Sequence, residues 1–280
     1  MRVFVTGAGG QVGHELVTAL GHHDVTAVDH AALDVADREA VLAAITTTRP
    51  EVIVHAAAWT AVDACEGDPE RARRVNTEGT ANVVDAARAV DARVVYFSTD
   101  YVFDGEKLGP YVETDAPNPR SEYGRSKLGG ELALGADDTI VRISWVCGLH
   151  GNNMVKTILR LAATHDTLQF VDDQRGHPTF ADDAAGMVAR LVDEPRSGTF
   201  HVTNQGAVSW FEFAQSVLTA ADLDPARVSP IATADLVPAR PAPRPTNSVL
   251  DNAALRAAGI TLLPDFHEPL HRLVRELTAS

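Results

Sequence analysis

Lysine is almost missing from this chain. Of 280 residues only Lys107, Lys127 and Lys156 are lysine, against 21 arginines. Positive charge is short overall: 38 Asp+Glu face 24 Lys+Arg, a formal net charge of −14. That balance leaves no basic face to neutralise phosphates and argues against nucleic-acid binding. It argues equally against adsorption to an anionic membrane. Cysteine is scarce as well. Cys65 and Cys147 are too few for a disulfide framework or a four-ligand zinc site, and they read as two reduced thiols. No apolar run approaches the roughly 18 residues of a transmembrane helix. The opening Met1-Arg2-Val3-Phe4-Val5-Thr6-Gly7 is a short strand entering a glycine turn rather than a signal peptide, so a cytoplasmic location is expected. Aspartate outnumbers glutamate, 24 to 14, and arginine replaces lysine. Adaptation to high salt explains both; a GC-rich genome favours the same residues.

What the chain does have is apolar material for a core, 45% of its residues, and a regular alternation of strand and helix signals. Val3–Val5 is a short apolar strand, and 11–21 carries Val12, Leu16, Val17 and Leu20 at helical spacing. Val25–Val28 follows as a strand. Asp37 is placed to cap a helix that Pro50 stops. Val52-Ile53-Val54 is the β-branched run of a strand buried on both faces. A long helical stretch runs from Pro69 to Val90, then a strand at 93–97, a helix at 123–135 and a strand at 139–143. Such alternation predicts an α/β protein with a Rossmann-type, doubly wound parallel sheet. Beyond residue 146 the pattern loosens. Helices are expected at 153–163, 181–192 and 209–220, the last opened by the capping box Ser209-x-x-Glu212. Residues 225–247 read as proline-rich loops, followed by closing helices at 251–258 and 265–277. The expected organisation is a dinucleotide-binding domain over 1–147, with parts of 172–203 and 240–250. The remainder of 148–280 forms a smaller, discontinuous C-terminal α/β substrate-binding lobe.

Several motifs carry chemistry. Gly7-Ala8-Gly9-Gly10-Gln11-Val12-Gly13 lies between the first strand and the first helix. Glycines there allow a tight turn and bring backbone N–H groups close to a pyrophosphate, and the helix N-terminus adds its positive dipole end. Asp29 ends the second strand, where a carboxylate accepts bonds from ribose hydroxyls and repels a 2′-phosphate, which favours NADH over NADPH. Asp34-Val35 is an acidic element suited to an adenine edge. Ala56-Ala57-Ala58 with Thr60, at the end of the buried strand, permits close approach of a flat cofactor. The sharpest signal is Tyr123-x-x-x-Lys127, which puts phenol and ammonium on one helix face. The ammonium is expected to lower the tyrosine pKa and make it a usable proton donor. Arginine holds its proton too tightly for that task, so a lysine kept here in an arginine-dominated chain is informative. Thr99, at the end of the strand Tyr96-Phe97-Ser98-Thr99, is placed to hydrogen-bond a carbonyl oxygen in the same pocket.

Together these residues resemble the extended short-chain dehydrogenase/reductases. Within them the chain is similar to the dTDP-4-dehydrorhamnose reductase family. The narrower likeness rests on Ser98-Thr99-Asp100-Tyr101-Val102-Phe103, Thr60-Ala61-Val62-Asp63 and Ser144-Trp145-Val146. It extends through Gly151-Asn152-Asn153, Asp173-Gln174 with Pro178-Thr179, and Arg244-Pro245 with Asn247-Ser248. The resemblance implies a reaction in which NADH or NADPH reduces the C4 ketone of a nucleotide-linked 6-deoxy-4-keto sugar. It implies Thr99, Tyr123 and Lys127 as catalytic residues. It places Trp145 on the sugar, Asn152, Asn153, Gln174 and Arg244 toward the nucleotide diphosphate, and Val102 and Asn247 also on the substrate side. The implied partner is the nucleotide sugar, with no nucleic acid and no membrane, and a homodimer is open. Trp59, Arg175 and Cys147 stand where the family varies. Glu15 sits where some relatives hold a subunit-bridging magnesium, but no further ligand is identifiable and no metal is expected. An NAD-dependent epimerase or dehydratase is the alternative, and a non-catalytic subunit the third.

Overall fold

The computed structural model describes residues 1–279. Its centre is a six-stranded sheet in which every neighbouring pair is parallel. The strands are β1 (Arg2–Thr6), β2 (Asp24–Val28), β3 (Val52–His55), β4 (Arg93–Thr99), β5 (Thr139–Ile143) and a last strand Gly198–His201. Their order across the sheet is Gly198–His201, β5, β4, β3, β1, β2. The chain leaves β1 for β2 on one side and returns to β3 on the other. The crevice at that reversal, outside the carboxyl ends of β1 and β3, is where this architecture binds ligands.

Period-two alternation decides which helix layer each strand residue meets. Val3 and Val5 of β1, with Val52, Val54 and Val95, pack against α1 (Gln11–Ala19) and the helix Ala181–Asp193. Phe4, Ile53, Val94 and Tyr96 point the other way, against α2 (Arg38–Thr48) and the helix Gly79–Ala89. Asp37 caps α2 as expected, accepting from the Ala40 N–H at 3.0 Å. A separate core built on Ile158, Phe180, Phe213, Phe266 and Leu270 forms the smaller lobe. The helix Ala181–Asp193 and the strand Gly198–His201, both from the later half, return to the central layer.

Two expectations change. The stretch 69–90 is not one α-helix: Pro69–Ala72 and Gly79–Ala89 are separated by a π-helical segment, Arg73–Glu78. The wider turn directs the fully buried Asn76 inward, where its amide exchanges bonds with the Trp59 backbone, 2.7 Å from N–H and 3.0 Å to C=O, and donates to Ser126 Oγ at 2.9 Å. Residues 225–247 are not all loop either. Val228–Ile231 pairs in parallel with Leu168–Val171. Pro230 sits within it, which a strand tolerates in a two-stranded ribbon because one edge makes no ladder. No described helix is long and apolar enough to cross a membrane.

Candidate active site

Two cavities open along the carboxyl ends of the strands and share Gly7, Gly10, Ala56 and Ala58 as a common wall. They form one cleft, with volumes of about 430 and about 580 Å³ on its two sides. The glycine turn makes the common wall. Gly7 adopts φ +71°, and a Cβ there would meet the Ala57 N at 2.6 Å. Only glycine lets β1 pass that close to the chain leaving β3.

The larger cavity takes Asp29, His30, Val35 and Ala57 from the expected cofactor set and its neighbours. Asp29 is exposed at the end of β2, and its Oδ1 accepts from the Ala32 N–H at 3.0 Å. Trp59 and Arg71 complete this side, the guanidinium lying 4.4 Å from the indole centroid. The smaller cavity gathers Gln11, Val12 and Gly13 from the turn with Thr60, Thr99, Tyr123 and Lys127. Trp145 and Asn152 close it, together with Trp210 from the lobe.

Tyr123 and Lys127 lie on the helix Glu122–Glu131, which Ser121 caps by accepting from the Gly124 N–H at 3.0 Å. Both side chains are almost fully buried. Lys127 Nζ sits 4.1 Å from the centroid of the Tyr96 ring. Burial draws its pKa down to about 7, with the Glu131 charge acting the other way. The expected lowering of Tyr123 is not what the packing produces. Burial pushes the phenol well above its usual value of 10.0, and the Thr99 hydroxyl only partly opposes this. The reason is that desolvation of the phenolate dominates, and the neighbouring Asp100 carboxylate pushes in the same direction. Behind the pair, His55 Nδ1 lies 2.7 Å from the Thr6 hydroxyl and Nε2 lies 3.1 Å from the Thr80 hydroxyl. Burial, then the Lys127 charge, lowers it to about 3, so it is a neutral structural group.

The Thr99 hydroxyl donates to Asp100 Oδ1 at 2.9 Å and accepts from the Tyr101 N–H at 3.2 Å. Asp100 is buried, lines the cavity, and its Oδ2 has no hydrogen-bond partner among the described residues. Burial raises it to about 6, while the hydroxyls of Ser248 and Thr99 act to lower it.

Six expected residues lie outside the cavity lining. Asp34 caps a turn, accepting from Ala36 N–H at 3.0 Å. Val102 is packed with Phe103, Tyr111 and Leu250. Asn153 caps the helix Met154–Ala162 and donates to Gln11 Oε1 at 3.0 Å. Gln174 donates to the Thr233 hydroxyl at 2.8 Å. Arg244 is held by Asp63 through two bonds of 2.7 and 2.8 Å. Asn247 ties down the carbonyls of Lys107 and Gly109. Glu15 pairs with His150 at 3.8 Å. Residues missed from the sequence are Trp210, Arg71 and Asn76. Trp210 had a signal, being one of only three tryptophans, but it read as the start of a helix.

The family model described as RmlD substrate binding domain matches residues 1–279. The chain belongs to this family. It is 40% identical over 302 residues to a dTDP-4-dehydrorhamnose reductase of Burkholderia thailandensis, covering 100% of both chains. The crystal structure of a dTDP-4-dehydrorhamnose reductase of Clostridium acetobutylicum superposes with a TM-score of 0.94 at 38% identity, over 99% of this chain and 100% of that one. The enzyme of the same name from Bacillus anthracis, solved in complex with NADP, also gives 0.94 at 38% identity, over 98% of this chain and 99% of that one.

Proposed function

We propose that this protein is an NAD(P)H-dependent oxidoreductase that reduces the C4 ketone of a dTDP-linked 6-deoxy-4-keto sugar, with dTDP-4-dehydro-L-rhamnose as the leading substrate. The observation that carries this reading is the convergence of Thr99, Tyr123, Lys127 and Trp145 on one cavity continuous with the Gly7–Gly13 turn. Full-length similarity to a reductase of that substrate supports it.

The cleft suits a dinucleotide. Its shared wall is built of small residues, the Gly7 turn leaves no room for a side chain, and Asp29 waits at the far end. The glycine turn, the Ala56–Ala58 wall and Lys127 would hold a reduced nicotinamide dinucleotide, which would supply a hydride to the sugar C4. Tyr123 Oη gives its proton to the C4 oxygen, so ketone, hydride and proton balance to an alcohol. Burial keeps the phenol protonated, and the alkoxide left by hydride addition is basic enough to take its proton; the Lys127 ammonium, one helical turn away, offsets the phenolate that forms. Thr99 orients the phenol and the substrate oxygen, and Trp145 offers the sugar a flat apolar wall. Asp29 disfavours a 2′-phosphate and gives NADH the preference, while Arg71 on the same cavity wall supplies the cation that lets NADPH be used. Residues 1–147, with parts of 172–203 and 240–250, bind the cofactor and carry Thr99, Tyr123 and Trp145, and the rest of 148–280 forms the substrate-binding lobe. Arg244, Gln174 and Asn247 then act from behind the lining, by fixing the segments that carry it. The reading places the enzyme in the cytoplasm and takes its acidic surface as a salt adaptation.

The epimerase or dehydratase alternative gains no support from the site. A dehydratase needs an acid/base pair beside Thr99, and Asp100 is followed by Tyr101, whose phenol burial pushes far above its usual value. The test offers dTDP-4-dehydro-rhamnose with NADH and then NADPH, in low and molar salt, and follows cofactor oxidation. Steady oxidation supports the reading. No oxidation under any of these conditions contradicts it.

A further inference from the structure

Beneath Tyr123 and Lys127 lies a charged pair that the reaction above does not use. Glu131 ends the helix that carries both residues, and Arg142 lies on β5. Their side chains are each 5% exposed and meet bidentately, Nε to Oε1 at 2.8 Å and Nη2 to Oε2 at 2.7 Å. Oε1 also accepts from the Ser98 hydroxyl at 2.5 Å. One carboxylate therefore joins three elements of the site. Ser98 precedes Thr99 on β4, the helix bears Tyr123 and Lys127, and Arg142 lies three residues before Trp145.

The helix sits hard against β4. A Cβ at Gly130 would meet the Tyr96 hydroxyl at 2.3 Å, and that hydroxyl donates to the Lys127 carbonyl at 3.2 Å. Stability alone is a poor reason for such a pair. Apolar residues of similar volume often replace a buried ion pair without loss, whereas removing one partner strands a buried charge. Arg142 is also imperfectly satisfied: its Nη1 has no hydrogen-bond partner among the described residues, and the guanidinium rests 5.1 Å from the Phe103 ring centroid.

The groups around Lys127 show what the pair supplies. Tyr123 and Glu131 share its helix, Tyr96 faces it from β4, and His55 lies behind on β3 as a neutral ring. Arg142 on β5 has its charge engaged by Glu131. Glu131 stands four residues beyond Lys127 on the same helix, one turn on and on the same face, and its charge favours the ammonium that burial disfavours. We propose that Glu131, fixed by Arg142, is a positioning residue that provides the counter-charge of Lys127 and holds β4 and β5 in register with its helix. The proposal rests on the reading of Tyr123 and Lys127 given above.

The scarcity of lysine makes the test direct. With three lysines in the chain, lysine labelled with carbon-13 at the side chain gives three resonances, and Lys127 is identified by its loss in Lys127→Met. In Glu131→Gln, and in the double variant Glu131→Met with Arg142→Met, the Lys127 titration midpoint is expected to fall by about one pH unit or more. Glu131→Asp should restore much of it. Turnover of these variants should survive at low pH and be lost as pH rises through the new midpoint, rather than fall equally at every pH. A folded variant with an unmoved Lys127 midpoint overturns the proposal. So does failure of both the single and the double variant to fold, which would show a purely structural pair. The titration reads Lys127 even if the wild type reduces no sugar, so the two readings fail separately.

Discussion

The indole rings of Trp145 and Trp210 stack face to face, 3.6 Å between centroids and 10° between planes. Trp145 follows β5, and Trp210 is the first residue of the lobe helix Trp210–Ala220. Trp145 adopts φ +46°, a left-handed conformation that a non-glycine residue takes at a cost of about 1–2 kcal/mol. Ser209 and Glu212 fix Trp210 by a reciprocal capping box, with bonds of 2.8 and 3.1 Å. The stack is the wall of the cavity where the sheet layer meets the lobe. Trp210→Ala is expected to raise KM for the sugar nucleotide about threefold to tenfold, the equivalent of about 0.5–1.5 kcal/mol for an aromatic pair. Cofactor Kd should not change. Steady-state kinetics beside a cofactor fluorescence titration separate this from a general loosening, which would weaken both.

Tyr123→Phe removes the acid and little else, because the ring stays packed against Tyr101 at 5.6 Å between centroids. Turnover should fall by about 10²- to 10⁴-fold, with cofactor affinity within about twofold of wild type. Single-turnover kinetics check it. Retained turnover would show that the proton comes from elsewhere.

Asp29→Ala tests the cofactor preference. Loss of the carboxylate should narrow the ratio of kcat/KM for NADH over NADPH, mainly through KM for NADPH. An unchanged ratio would remove Asp29 from the ribose. Arg71→Ala should move the ratio the other way.

Stability should fall as pH drops from neutral. Burial depresses His55 to about 3, His177 to about 4 and His201 to about 3, against a usual 6.5. Below 6.5 the unfolded chain binds protons that these rings refuse in the fold, so unfolding is favoured by acid. Asp100, raised to about 6, and Asp183, also raised by burial, act in the opposite sense but are two groups against three. Calorimetry from pH 7.5 to about 5 should show a falling Tm, with the slope reduced in His55→Asn. A Tm flat over that range would contradict the burial of these rings.

The strand and helix alternation was legible because parallel strands buried on both faces are near-continuous apolar runs, as in Val52–Val54. The glycine turn and the Tyr-x-x-x-Lys pair were legible because their chemistry is local, within one turn or one helical repeat. What stayed hidden depends on distant partners. Trp210 comes to Trp145 only through the packing of the lobe. Asn76 gains its place from a π-helical turn that no periodicity announces. Arg244 reads as a free cation in the sequence, whereas Asp63, 181 residues away, engages it. The direction of the Tyr123 shift was hidden for a related reason: spacing places the ammonium, but only the fold shows how strongly burial and Asp100 disfavour the phenolate.

The central claim, hydride transfer to the sugar C4, is tested most directly by isotope. The enzyme is given dTDP-4-dehydro-rhamnose and nicotinamide cofactor deuterated at its transferable position, and the product is read by mass spectrometry and proton NMR. One deuterium per product molecule, located at sugar C4 and absent with Tyr123→Phe at the same time point, is the result expected. A product without deuterium at C4, or one formed with no net cofactor oxidation, would contradict the account.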